Sequence, residues 1–173
     1  MPSFIRRLLR SRLFGSSVFM GSIFMASELT QQVMKRKTLD VKQIARMGIY
    51  GFVFNGPWNF CWFKVLDTFV GGDRLKKSTA FCKVLLDISI SGPVTVSGFY
   101  TGLGLLEGKR HDDILTEVKQ KFTRTYLTGV AYWIPVQTVN FLLVLPQHRV
   151  LFVGTAVFIW SNFLCYMKQK KIP

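Results

Sequence analysis

The sequence is poor in the residue types that form metal sites, disulfide frameworks and catalytic groups. Its two histidines, His111 and His148, fall in different predicted loops, and its three cysteines are widely separated. No HExxH pattern, nucleophile elbow or phosphate-binding loop accompanies them. We therefore expect no metal, no cofactor and no enzymatic activity. A membrane-embedded enzyme stays open as an alternative, with Asp87 and His148 as its suggested catalytic pair.

Acidic residues are also scarce, with 9 Asp and Glu against 23 Lys and Arg, which gives a net charge of +14. A chain this basic could bind nucleic acid, but it has no zinc-ligand spacing, helix-turn-helix pattern or stacking-aromatic motif. Its cations instead lie between apolar runs, as in membrane proteins whose basic loops face anionic headgroups. The charge pattern predicts a lipid bilayer as partner and no nucleic acid.

What the chain does contain is long apolar runs, and 49% of its residues are hydrophobic. A helix needs about 20 predominantly apolar residues to cross a bilayer. Residues 1–173 are therefore predicted to form a single integral membrane domain. Its fold class is all-α, a polytopic membrane helical bundle with four, or alternatively five, spanning helices. The candidate spans are residues 13–30, 47–63, 84–106, 126–145 and 150–167.

Two segments differ from these runs. Residues 1–12 contain four arginines and no acid, which is typical of a mitochondrial targeting segment and equally of positive residues flanking a first span. Residues 107–125 hold four of the nine acids and are predicted to form a polar surface segment between spans. The N-terminal composition favours the mitochondrial inner membrane. The peroxisomal membrane is an alternative, and a lysine pair near the C-terminus, which resembles a retrieval signal, keeps the endoplasmic reticulum as another.

Polar residues inside the apolar runs are the candidate functional residues. They are Glu28, Asp87, Ser91, Gln137 and Asn140. One interpretation is that they hydrogen-bond between helices and only hold the bundle together. The other is that they line a polar path through the membrane. The ionisable Asp87 favours this second interpretation, because intramembrane carboxylates often mark ion or substrate routes.

Prolines and tryptophans mark further positions in the apolar runs. Pro57, Pro93 and Pro135 predict helix kinks, since proline removes a backbone donor and clashes with the preceding turn. Trp58 and Trp62 follow the first of these prolines and predict an interfacial aromatic belt.

Several motifs are shared with a known family. The segments SELTQQ (27–32), GPWNFCWFKVLD (56–67), KVLLD (83–87) and an element spanning 133–160 resemble those of the Mpv-seventeen and twenty-two-kilodalton peroxisomal membrane proteins. The matching positions are Gly56, Pro57, Trp62, Asp67, Trp133, Gln137, Asn140, Phe141, Pro146, Arg149 and Trp160.

The chain departs from the family pattern at three positions. Phe63 stands in the place of a Tyr, and Ile88 replaces the Gln that usually follows the Asp of the third span. Ile134 separates Trp133 from Pro135, where the family has Trp-Pro. The predicted kink therefore moves by one residue, or about 100° around the helix.

The resemblance implies an all-α integral membrane protein with four spans, located in the mitochondrial inner membrane or in peroxisomes. It also implies a weakly selective channel for small solutes that contributes to mitochondrial metabolite homeostasis. We expect the polar path to be lined by Asp87, Gln137 and Asn140, with Ser91 and Glu28. The alternative is a non-conducting structural or adaptor protein. Assembly into a homo-oligomer stays open.

Overall fold

The computed structural model describes residues 12–36, 38–70, 77–144 and 149–170. Within these ranges the chain is helical and contains no strand, so the predicted all-α class is confirmed. Of the basic segment 1–12, only Arg12 lies in the described part. The helices are α1 (Arg12–Met34), α2 (Val41–Tyr50), α3 (Gly56–Val70), α4 (Lys77–Leu86), α5 (Gly92–Leu106), α6 (His111–Leu142) and α7 (Arg149–Gln169).

Two π-helical turns join consecutive helices into longer rods. Gly51–Asn55 connects α2 to α3, and Asp87–Ser91 connects α4 to α5. In the described residues the fold therefore consists of five rods: α1, residues 41–70, residues 77–106, α6 and α7.

Each π-helical turn ends at a Gly-Pro pair, Gly56-Pro57 or Gly92-Pro93. Proline has no N–H and its ring crowds the carbonyl four residues earlier, which disrupts an α-helix. In the π-helical turn the hydrogen bond spans five residues instead, so that the Gly56 N–H donates to the Gly51 carbonyl. The disturbance predicted at these two prolines thus takes the form of a widened turn. Pro135, in contrast, lies inside α6, which continues to its end at Leu142.

Helix α1 crosses the second rod at very short distance, and small residues make this possible. Ser17 and Gly21 of α1 are buried and face Gly56 and Gly51. A Cβ atom on Gly56 would lie 2.4 Å from the Ser17 Cα, and one on Gly51 would lie 2.7 Å from the Met20 carbonyl oxygen. Close backbone approach through small residues is a usual way to pack helices in lipid.

The core lies between the rods, and the outside is apolar. Large hydrophobic side chains such as Phe19, Phe69, Phe81, Leu105 and Ile159 are between 45% and 83% exposed. An outer surface this apolar suits lipid and not water.

By length and composition, two of the described helical segments can cross a membrane, Arg12–Met34 and Phe81–Leu106. A membrane helical bundle is therefore supported, and the count of four spans stays a prediction.

The polar segment 107–125 is continuous with the apolar run that follows it. After a turn at Gly108 with φ of +72°, a single helix, α6, begins at His111 and carries both this segment and the following apolar run. Ile114, Lys121 and Thr125 are buried. The segment joins the bundle because its buried lysine has acidic partners, as described below.

Candidate functional site

A cavity of about 150 Å³ lies in the centre of the bundle. All five rods contribute to its wall, which is mainly aromatic and aliphatic. We call it the central cavity. Three of the polar residues singled out in the sequence line it, and they come from two consecutive rods, residues 77–106 and α6. They are Asp87, Ser91 and Gln137.

Asp87 and Ser91 occupy the first and last positions of the second π-helical turn, and each has an indole partner. The Trp62 Nε1–H donates to the Asp87 Oδ1 at 2.8 Å, and the Trp58 Nε1–H donates to the Ser91 Oγ at 2.9 Å. The two tryptophans are one turn apart on α3, so a single face of that helix holds both polar residues. These indole N–H groups make contacts between helices, and the interfacial aromatic belt expected from the sequence stays a prediction.

The tryptophans belong to a ladder of stacked rings along the second rod. Tyr50, Phe54, Trp58 and Trp62 follow at four-residue spacing, with successive ring centroids 5.5, 6.3 and 6.1 Å apart. Phe54 packs against Gly98, where an added Cβ would lie only 2.4 Å from the ring. The ladder fixes the ring orientations and so aims the two indole donors at the cavity wall.

The wall opposite is formed by α6 and α7. Gln137, Trp133 and Trp160 line the central cavity from these helices. The Tyr132 hydroxyl donates to the Ala156 carbonyl at 2.8 Å, which joins α6 to α7. Gly129 lets the Trp160 ring approach, since a Cβ there would lie 3.1 Å from it. The side chains of Asn140, Asp67, Phe141 and Arg149, as well as Pro146, lie outside the described residues.

Glu28 does not reach the central cavity. It is 2% exposed and accepts hydrogen bonds from the Gln32 Nε2 at 2.9 Å and the Gln169 Nε2 at 3.0 Å. It lines a second cavity of about 260 Å³, which we call the polar cavity. Glu28 and Asp87 were expected to line the same polar path, but they line different cavities. Other residues of the polar cavity include Asp40, Gln43, Glu107, Lys109 and Lys168.

An ion-pair network forms one side of the polar cavity. Glu117 accepts from three lysines, Lys109 at 2.7 Å, Lys121 at 2.9 Å and Lys168 at 3.0 Å. Burial alone would raise the pKa of Glu117, but the hydrogen bonds from Lys109 and Lys121 and the charge of Lys168 lower it to about 2. Glu107 pairs with two of the same lysines, Lys109 at 3.0 Å and Lys168 at 3.2 Å. The network connects the start of α6 to the end of α7.

Sequence reasoning missed this network. The four-residue spacing of Glu117 and Lys121 is a readable helix pair. Nothing in the sequence, however, indicates that Lys168 meets them from 51 positions away.

The two cavities differ in charge. Among the described residues that line the central cavity, Asp87 carries the only formal charge. The polar cavity has three carboxyl groups and two lysines in its wall. The central cavity can therefore admit small neutral or cationic solutes with few specific contacts, whereas the polar cavity offers charges of both signs.

The chain has extensive similarity to known proteins. The sequence pattern of the Mpv17 / PMP22 family matches residues 104–165. The "Mpv17-like protein" of Xenopus laevis is 38% identical over 151 residues, which cover 85% of this chain and 72% of the relative. The "Mitochondrial inner membrane protein Mpv17" of the same organism is 31% identical over 82% of this chain and 81% of the relative. The "PXMP2/4 family protein 4" of Dictyostelium discoideum is 35% identical over a stretch that covers 78% of this chain and 72% of the relative.

These similarities confirm the resemblance read from the motifs. They also support the predicted location, because relatives across most of the chain are named as mitochondrial inner membrane proteins. The location is thus the mitochondrial inner membrane. No solved structure matches the chain.

Proposed function

Since the chain belongs to the Mpv17 / PMP22 family, we propose that it is a weakly selective channel for small solutes that contributes to mitochondrial metabolite homeostasis. One observation carries the proposal. Asp87, Ser91 and Gln137 meet at a cavity inside a helical bundle whose outer surface is apolar. Polar groups that only tether helices need no shared cavity, whereas the lining of a path does.

The size and chemistry of the central cavity fit small solutes and weak selectivity. A volume of about 150 Å³ has room for several water molecules or one small organic molecule. Its wall presents one carboxylate and several aromatic rings. Such a wall disfavours anions and makes few directional contacts with anything else. The proposed activity is passive and involves no catalytic step.

The proposal is tested by reconstituting the purified protein in planar bilayers. We expect single-channel conductance from the wild type and a lower conductance or altered ion selectivity from Asp87→Asn and Gln137→Leu. Asp113→Asn is the matched control, because Asp113 is exposed at the start of α6 and should leave conductance unchanged. No conductance from the wild type, or identical behaviour of both lining variants and the control, would reject the proposal.

A non-conducting structural protein is the second candidate. It is favoured by the indole hydrogen bonds, since Trp62 and Trp58 satisfy Asp87 and Ser91 inside the protein. This alternative predicts that Asp87→Asn lowers the unfolding temperature in detergent while liposomes containing wild type or variant release no solute.

A further inference from the structure

The two cavities follow one another along the same rods. On α1, Phe24 lines the central cavity and Glu28, one turn later, lines the polar cavity. On α7, Leu164 lines the central cavity and Lys168, four residues later, lines the polar cavity. The second rod runs the other way, with Gln43 at the polar cavity and Tyr50 at the central cavity. The cavities are therefore stacked along the bundle.

A layer of fully buried apolar side chains separates the cavities. Met47, Phe99, Leu103 and Cys165 are each 0% exposed and line neither cavity. Phe99 is held edge-on between two tyrosine rings, 5.4 Å from the Tyr50 centroid. We call these four residues the dry layer.

The dry layer is thin where α1 passes it. Phe24 and Glu28 are four residues apart, so about 6 Å of helix separates one cavity from the other on this side. The Cys165 thiol lies close enough to Glu28 to be influenced by its charge, so the polar cavity reaches the edge of the layer. A short apolar constriction between two wider spaces blocks ions and water by dewetting.

We propose that the two cavities are halves of one solute route and that the dry layer is the barrier that closes it in this conformation. This inference rests on the proposed channel function and assigns the polar cavity as the second entrance. The mixed charges of that entrance, with lysines and carboxylates side by side, suit small zwitterionic or ionic solutes of either sign.

The barrier is tested by making the dry layer polar, at Met47 with almost no change in volume. Met47→Gln has nearly the same side-chain volume as methionine and adds an amide that retains water. Met47→Leu keeps the site apolar and is the matched control. Leu103→Asn repeats the polar change from α5. Size-exclusion elution and the unfolding temperature of each variant in detergent show that it is folded.

Two readouts are compared. Solute release from liposomes should rise about fivefold or more in the two polar variants and stay at the wild-type level in Met47→Leu. The second readout uses proteins in which Cys61 and Cys82 are replaced by serine. A small charged methanethiosulfonate should modify Cys165 about tenfold faster when Met47→Gln is present than when Met47 is retained.

The outcomes separate the two proposals. Two results would overturn the barrier and leave the channel intact. In the first, the folded polar variants release solute at the wild-type rate. In the second, Cys165 of the Met47→Gln protein is labelled at the wild-type rate. No release from any of the proteins would overturn the channel and the route with it.

Discussion

The close approach of Gly56 to Ser17 gives a quantitative test of how α1 packs on the second rod. Replacing Gly56 by alanine places a methyl group 2.4 Å from the Ser17 Cα and 2.9 Å from the Ser17 nitrogen. Both atoms belong to the backbone of α1, so no rotamer change can relieve the overlap, and the helices must separate. Overpacking of this kind costs about 1–3 kcal/mol, occasionally more. The gain in helix propensity of alanine over glycine returns about 0.5–1 kcal/mol.

We therefore expect Gly56→Ala to lower the free energy of unfolding by about 1–2 kcal/mol, or the unfolding temperature by about 2–8 °C for a chain of this length. Thermal unfolding in a fixed detergent measures this. Gly15→Ala is the control, because a Cβ on Gly15 meets nothing within 4 Å, and this variant should match or exceed wild-type stability. Ser17→Gly should not rescue Gly56→Ala, since the clash involves backbone atoms. Equal stability of the two alanine variants would show that α1 and α3 do not approach as described.

Two further predictions concern the polar contacts. Because the pKa of Glu117 is about 2 when folded and near 4.5 otherwise, its pairing stabilises the protein above pH 4.5, and that contribution is lost as the pH falls towards 2. Solvent screens part of this contribution. We therefore expect the free energy of unfolding to fall by about 1–2 kcal/mol between pH 7 and pH 3, and we expect Glu117→Gln to abolish most of this fall. Trp62→Phe deletes the donor to Asp87 while keeping the stacked ring, and should cost about 1–3 kcal/mol. Phe69→Leu, which changes an exposed ring, is the control. If Trp62→Phe and Phe69→Leu had the same free energy of unfolding, the hydrogen bond from Trp62 to Asp87 would be contradicted.

Several features of the site could be predicted from the sequence because they depend on local spacing. Asp87 and Ser91 are four residues apart on one helix, and Gln137 interrupts an apolar run, so all three were expected inside the bundle. Glu28 was expected with them and lies in the other cavity instead, on the far side of the dry layer. Spacing along one helix does not tell at what depth a residue meets the other helices.

Other features depend on contacts that no local pattern encodes. The Gly-Pro pairs predicted a disturbance, but not that the helix would widen into a π-helical turn and continue. The aromatic ladder is visible as a four-residue spacing of Tyr50, Phe54, Trp58 and Trp62, yet its indole partners lie 25 or more positions away. The lysines around Glu117 lie in segments that were expected to be polar surface, and no local pattern shows that Lys168 reaches Glu117 from 51 positions away.

The π-helical turns also limit what a helical wheel can say about this chain. A π-helical turn is an α-helix with one residue inserted, which offsets everything beyond it by about 100°. Residues of α4 and α5, or of α2 and α3, therefore cannot be drawn on a single helical wheel. Removing one residue from either turn would rotate one half of the rod against the other. A single deletion there should thus turn every position beyond it by about 100°, which brings some lipid-facing residues into the interior and some interior residues out to the lipid.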